Sequence, residues 1–571
     1  MTAKGANRRI RLLLAVLVVV FGITFARAAW LQGVRASSFG RLATSQQSQV
    51  VTVPAARGTI FDRGGVQLAI GEQATTVYAD PRLVRDPQKE AATASRVLRV
   101  DPNQLYAALT DRTRGFVYVK RKADSSQAAR LQRMNLPGLG FYPEERRFYP
   151  QSALASQVLG YAGVDNQGLA GLELSLNKTL AGRPGRERVV KDASGEVIDT
   201  IQSQSERDGS DVYLTLDHTI QANAQVVLKQ TVARWRAKSA TAIVLDPRTG
   251  AVLAMAVAPG FDANRYPQTW REFQRNRAVT DTYEPGSTFK VVTVAGVLSD
   301  RLVTPMTRFV LPYSIHVADR VIHDAEPRGT ETMSVAQILS RSSNVGAITL
   351  AEKLHKQRLV QWINRFGFGK PTGIDYPGES PGIVLPEDRW SGSTIGNVPI
   401  GQGIAVTPIQ MASAYAAIAN RGVRVRPHLV DHIGDRRSVV SPRRRIISGP
   451  VAAQLLGMLK NVVLDGTGTL AAVPGYQVAG KTGTAAKVDP DGTYSTSRYV
   501  ASFIGIVPAS RPRLVILVSV DEPRGAIWGG VVAAPAFSQI ARFDLQYLEG
   551  GITPDAPSTL GSTPTPYLST P

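Results

Sequence analysis

Ala240-Thr-Ala-Ile-Val-Leu-Asp-Pro-Arg-Thr-Gly-Ala-Val-Leu-Ala-Met-Ala-Val257 holds two short apolar runs separated by Asp246-Pro-Arg-Thr-Gly250. Proline and glycine stand in turn positions, so the stretch predicts a hairpin of Ala240–Leu245 against Ala251–Val257. Two more apolar runs, Val500–Val507 and Leu514–Val520, lie near the end of the chain, and Val478-Ala-Gly-Lys-Thr-Gly-Thr484 before them is a fifth candidate strand. An amphipathic helix from about His218 to Trp235 precedes the hairpin, and a closing helix over Val532–Leu548 follows the last strand. Strands at both ends with a helix-rich insertion between them predict one five-stranded antiparallel sheet with helices on its faces, spanning 211–548 of a multi-domain α/β chain.

The insertion carries Asp281-Thr-Tyr-Glu-Pro-Gly-Ser-Thr-Phe-Lys290 and then the apolar run Val291–Leu298. Glu284-Pro-Gly286 is a turn, and the run after it reads as a buried helix. Ser287 therefore sits near a helix start, with Lys290 three residues on and on the same side. A serine beside an amine is a candidate nucleophile and base. Taken alone, Ser287 is better read as an N-cap. The chain also holds a second Ser-x-x-Lys at Ser175–Lys178. What separates the two is order: Ser342-Ser-Asn344 and Lys481-Thr-Gly483 follow Ser287 inside the same predicted unit, the set of phrases used by serine acyl-transferring enzymes. In isolation, Ser342–Asn344 reads as a cap or turn and Lys481-Thr-Gly as a strand end.

At 571 residues the chain needs more than one core, and its 43% apolar content suits folded domains. The formal charge of +21 has no zinc-finger or RNA-reading motif beside it, so no nucleic-acid partner is expected. The charge suits work beside anionic lipid and wall polymers. The chain has no cysteine, which excludes disulfides, thiol catalysis and cysteine-bound metal, and its six histidines form no HExxH. No cofactor or metal is expected.

Leu12–Ala26 is uncharged and follows Lys4, Arg8, Arg9 and Arg11. It predicts a membrane anchor over 12–31 with residues 1–11 inside, although Ala26-Arg-Ala28 also has the small-x-small form of a signal cleavage site. Residues 46–209 read as an extended, mixed α+β pedestal with Arg57–Gly65, Glu145–Pro150 and Gly168–Glu173 as motif-like phrases without a nucleophile. Residues 549–571, rich in Pro, Ser, Thr and Gly, read as a disordered tail. Gly475-Tyr-Gln-Val-Ala-Gly-Lys-Thr482 matches a nucleotide phosphate loop letter for letter. Its flanks lack the strand before and the helix after, so no nucleotide partner is expected.

With the phrases Leu214–Asp217, Phe366–Gly378, Gly401–Pro408 and Asp521-Glu-Pro523 added, the chain from anchor to Leu548 resembles the class B penicillin-binding proteins, most closely the FtsI-like division type. The resemblance implies a peptidoglycan D,D-transpeptidase that acylates Ser287 with a stem peptide and is acylated by β-lactams. Lys290 would be the base, its amine made available by burial and by the neighbouring cation of Lys481. Ser342 would relay the proton and Asn344 would hold Lys290 and the substrate amide. The resemblance also implies an oxyanion hole from the N–H groups of Ser287 and Thr484. It implies carboxylate binding by Thr482, Thr484 and Lys481, and close approach of substrate at Gly483. It further implies a membrane-embedded glycan polymerase of the FtsW/RodA type and other division proteins as partners. The alternatives within this chemistry are a carboxypeptidase or β-lactamase-like hydrolase; a non-enzymatic β-lactam sensor or scaffold is the alternative outside it.

Overall fold

Strand β1 (Ser239–Leu245) lies between β2 (Val252–Ala258) and β5 (Leu514–Asp521), and β4 (Tyr494–Val507) and β3 (Ala479–Val488) complete the sheet. The order is β2-β1-β5-β4-β3 and every neighbouring pair is antiparallel, with β3 at an edge. The computed structural model describes residues 3–35, 48–191, 197–437 and 441–548, so the expected tail at 549–571 lies outside the described residues.

All seven residues of β1 and of β2 are buried. Two cores explain why these runs are continuously apolar rather than alternating. Ala242 and Val244 join Ile220 and Leu228 of α1 (His218–Trp235) on one face. Ile243 and Leu245 join Val291 and Val294 of α2 (Lys290–Ser299) on the other. The second face also takes Ile409 and Tyr415 of α4 (Pro408–Ala419), and the first takes Phe537 and Ile540 of α5 (Ala534–Leu548). α3 (Asn344–Leu354) follows in the chain and packs against α2. Asp217 caps α1 by accepting the N–H groups of Thr219 and Ile220, and a Thr407/Gln410 capping box opens α4.

The structure departs from the sequence reading in extent more than in kind. β4 begins at Tyr494, six residues before the apolar run that marks it. The closing helix is broken at Ala533 into Gly529–Val532 and α5. The insertion is less purely helical than expected: Arg308–Leu311 pairs with Glu331–Ser334, and Ser314–Val317 with Arg320–His323.

By contacts the chain forms two units, Met1–Ala56 with Gly182–Gly209, and Arg57–Ala181 with Ser210 onward. The first holds a helix, Ala3–Ala29, and a sheet in the order Ser48–Val53, Gly185–Lys191, Val197–Gln204. Residues Asn7–Gly33 form a helical stretch of 27 residues whose most apolar 18-residue window has mean hydropathy 2.4, long and apolar enough to cross a membrane.

In the second unit, Val212–Leu214 pairs in parallel with Ile60–Phe61 and antiparallel with Val430–Ile433, so segments from 57–181 and from beyond 210 share one sheet. Three of the motif-like phrases meet there. Glu173, fully buried, holds Arg57 through one carboxylate oxygen at 2.5 Å and Arg147 through the other at 2.6 Å. Arg57 also donates to Asn166 O and Asn177 Oδ1, both at 2.8 Å, and Arg147 to Gly58 O at 2.8 Å. These charged phrases knot the chain together.

Candidate active site

Glu284-Pro285-Gly286 does turn the chain: Gly286 has φ +53° and a 3₁₀ turn, Gly286–Phe289, leads into α2. The turn is pinned from outside, since Gly286 donates to Gly401 O at 3.0 Å and Tyr283 to Val406 O at 3.0 Å. Gly401 is confined there, because a Cβ on it would fall 2.1 Å from Gly286 O. The phrase Gly401–Pro408 thus buttresses the turn that carries Ser287. Ser287 caps nothing: the turn and α2 have no side-chain cap. Its hydroxyl finds no hydrogen-bond partner among the described residues and lines a cleft of about 770 Å³.

Lys290, 1% exposed, points from the first turn of α2 to the Ser342–Asn344 loop. Its Nζ donates to Ser342 O at 2.5 Å, to Asn344 Oδ1 at 2.8 Å and to Ser342 Oγ at 3.2 Å. From the opposite wall Lys481, fully buried on β3, donates to the same Ser342 Oγ at 2.9 Å. Ser342 is held at φ +62°, a left-handed backbone that a serine adopts only under constraint from its surroundings. The helix cap in this phrase is Ser343, whose hydroxyl accepts the N–H of Gly346 at 2.9 Å, which frees Ser342 and Asn344 to face the lysines.

Burial brings the Lys290 amine down to about 7, while the charge of Asp324 acts the other way. Lys481 is pushed well below the ordinary lysine value by burial first and by Lys290 second. Burial is thus the first cause for both amines, and as like charges in close reach each disfavours the charge of the other. The pair behaves as one acid–base unit around a shared hydroxyl.

β3 forms the remaining wall. Thr482, Thr484 and the nearby Trp528 line the cleft with Ser287, Ser342 and Asn344. Thr482 Oγ1 is 2.7 Å from Thr467 Oγ1, and Thr484 Oγ1 accepts the Gly529 N–H at 3.1 Å. Gly483 has no room for a side chain: a Cβ there would stand 2.4 Å from Ser502 Oγ and 2.9 Å from Pro285 O. That crowding comes from the protein itself, from the next strand and from the turn ahead of Ser287. Lys481 lies within a strand, so the phosphate-loop spelling around it does not form a phosphate loop. Ser175 is in a short helix and its hydroxyl donates back to Leu172 O, so the second Ser-x-x-Lys is a helix detail. Among the described residues no cluster of histidine and carboxylate side chains could hold a metal ion.

Sequence reasoning missed Asp324. Its Oδ1 accepts the N–H groups of Asn344 at 2.5 Å and Val345 at 3.0 Å, and its carboxylate takes the Ser343 hydroxyl at 3.0 and 3.1 Å. No signal in the chain marks it, since it follows a four-residue strand and acts on residues about 20 positions on.

The sequence profile of the penicillin binding protein transpeptidase domain matches residues 240–542, and that of the penicillin-binding protein dimerisation domain matches residues 52–214. The chain is 33% identical to the peptidoglycan D,D-transpeptidase FtsI of Escherichia coli, over 96% of this chain and 93% of that protein. It is 34% identical to stage V sporulation protein D of Bacillus subtilis, over 97% and 88%. Among solved structures, penicillin binding protein 3 of Mycobacterium tuberculosis complexed with aztreonam is similar with a TM-score of 0.71 at 32% identity, covering 90% of this chain and 100% of that one.

Proposed function

Because the chain belongs to the penicillin-binding protein transpeptidase family, we propose that it is a peptidoglycan D,D-transpeptidase that crosslinks stem peptides through a Ser287 acyl-enzyme during septal wall synthesis. The observation that carries the assignment of residues is the meeting of Lys290 and Lys481 at the hydroxyl of Ser342, beside an unencumbered Ser287. A buried amine brought near 7 can take a proton at neutral pH, which an ordinary lysine cannot.

In this reading Ser287 Oγ attacks the carbonyl of the penultimate D-alanine and passes its proton to the Lys290 amine. The charge on the carbonyl oxygen is met by the N–H groups of Ser287 and Thr484, each donor contributing about 3–4 kcal/mol. The peptide C–N bond then breaks. Lys290 returns the proton through Ser342 to the leaving nitrogen, and D-alanine departs. An amine of a second stem peptide attacks the ester along the same path in reverse, giving the new amide and restoring Ser287. Asn344 holds Lys290 and the substrate amide. Thr482 and Thr484 receive the terminal carboxylate. Lys481 regains a proton there, since an incoming anion offsets the burial that discharges it. Gly483 lets the wall lie close.

The N-terminal helix serves as a single-pass anchor in the cell membrane. Arg8, Arg9 and Arg11 stay on the cytoplasmic side and the rest of the protein lies outside. Glycan strands come from a membrane-embedded polymerase of the FtsW/RodA type acting with other division proteins. Tagged protein should concentrate at septa, and an even sidewall pattern would move it to another role.

Mass spectrometry of the penicillin-treated protein tests the site. One adduct on Ser287, stable for hours and lost in Ser287→Ala, is expected. An adduct elsewhere overturns the assignment, and release within minutes turns the reading to a hydrolase.

A further inference from the structure

Asn344 is gripped at both ends by consecutive residues. Asp324 takes its backbone N–H at 2.5 Å, and His323 O accepts its Nδ2 at 3.0 Å. With Nδ2 committed to that carbonyl, Oδ1 is the atom left to face Lys290, and it does so at 2.8 Å. Asp324 also binds the Ser343 hydroxyl and the Val345 N–H, so one carboxylate gathers the first turn of α3 immediately after the left-handed Ser342. Asp324 is 6% exposed and is itself held by Arg328, at 2.5 Å through Nη2 and 2.9 Å through Nε. Arg328 is anchored in turn on Leu311 O and Pro312 O at 2.9 and 3.0 Å. The chain of support thus runs from the short strands of the insertion through Arg328 and Asp324 to Asn344 and Lys290.

We propose that Asp324 is a positioning residue for the acylation step: it holds the Ser342–Asn344 loop so that both lysines meet one hydroxyl, and its charge governs when Lys290 carries a proton. The proposal rests on Lys290 acting as the base for Ser287. The charged groups that bear on Lys290 are Lys481 from β3 and Asp324 from the insertion, with Arg328 behind Asp324. A loop-holding group alone could be a neutral amide. A carboxylate partly neutralised by one arginine adds an electrostatic control that an amide lacks.

The test is the rate of acylation by fluorescent penicillin, followed from pH 5.5 to 9 in Asp324→Asn, Asp324→Glu and Arg328→Gln, with thermal unfolding measured alongside. In Asp324→Asn the acidic midpoint should move down by about half a unit or more, because the protonated amine loses its counter-charge. The plateau should fall about tenfold or more as the loop loosens. Asp324→Glu keeps the charge and should keep the midpoint while lowering the plateau. Arg328→Gln unmasks the carboxylate and should move the midpoint up. Shifts of opposite sign cannot come from a general loss of stability. An unmoved midpoint in either Asp324→Asn or Arg328→Gln overturns the proposal, and one of these suffices if the other fails to fold. If the unaltered protein takes no label on Ser287, the parent reading fails instead.

Discussion

Lys481 donates to the hydroxyl of Ser342 across 2.9 Å, joining side chains 139 residues apart in sequence. The same oxygen is 3.2 Å from the Lys290 amine. A hydroxyl is both donor and acceptor, so this one can hand a proton from either amine to the other or to a group in the cleft. Among the described residues neither lysine has a carboxylate within ion-pair distance, and both are buried. The arrangement costs stability and supplies neutral amine at working pH.

The first expectation concerns pH. Lysine is the base only when unprotonated, and Lys290 loses its proton near 7. Acylation should therefore rise through pH 7, level off above about 8, and at pH 6 stand roughly tenfold below the plateau. Stopped-flow acylation with a chromogenic β-lactam measures this, and a flat profile across the range would remove Lys290 from the role.

Gly483 supplies a steric test. An alanine there must displace Ser502 Oγ and the Pro285 carbonyl, and Pro285 lies two residues before Ser287. Gly483→Ala is expected to lower acylation about 100-fold, since small displacements at a reacting group have effects of that size. Adding Ser502→Ala removes the closer obstacle and should recover part of the loss. No recovery would place the defect elsewhere, for instance in the path of the substrate.

The sheet could be read from the chain because its strands declare themselves in two ways. β2 is apolar throughout and β1 and β5 are largely so, as strands covered on both faces must be. β3 is different: Ala-Gly-Lys-Thr-Gly-Thr has no such signature, and only the motif around Lys481 marks it. The turn that carries Ser287 and its lysine were visible in Glu284–Lys290. Asp324, the left-handed Ser342 and the buttress at Gly401 were not, because each depends on a partner brought up by the fold. The same holds for the charge of the two lysines: Asp324 bears on Lys290 through the fold, and spacing along the chain carries no trace of that.

The knot of Arg57, Glu173 and Arg147 yields a stability prediction. Glu173→Ala leaves two buried guanidinium groups without their counter-charge, and removing one partner of a buried pair typically costs about 3–5 kcal/mol. Replacing all three by apolar residues of similar volume should cost much less, because no charge is then stranded. Chemical denaturation of the second unit compares the variants. Equal losses for the single and the triple change would mean that shape, not charge, holds this region.

Asp544 on α5 gives the opposite sign. Its side chain is fully buried, and burial together with the nearby Asp217 pushes its acid well above the ordinary value of 3.8, with the Asn223 amide acting weakly the other way. In the unfolded chain the same group ionises near 3.8. Above that pH the folded protein holds a proton the unfolded one has released, so stability falls as pH rises. Asp544→Leu, close in shape, removes this burden. The thermal midpoint should rise by a few degrees at pH 7.5, and the gain should shrink steadily towards pH 4.5. The side chain lies in the core shared with α1, on the face of the sheet opposite α2, so acylation of Ser287 should be unchanged. A gain independent of pH would show that packing rather than ionisation sets the cost. A loss at pH 7.5 would show that the buried acid serves the fold.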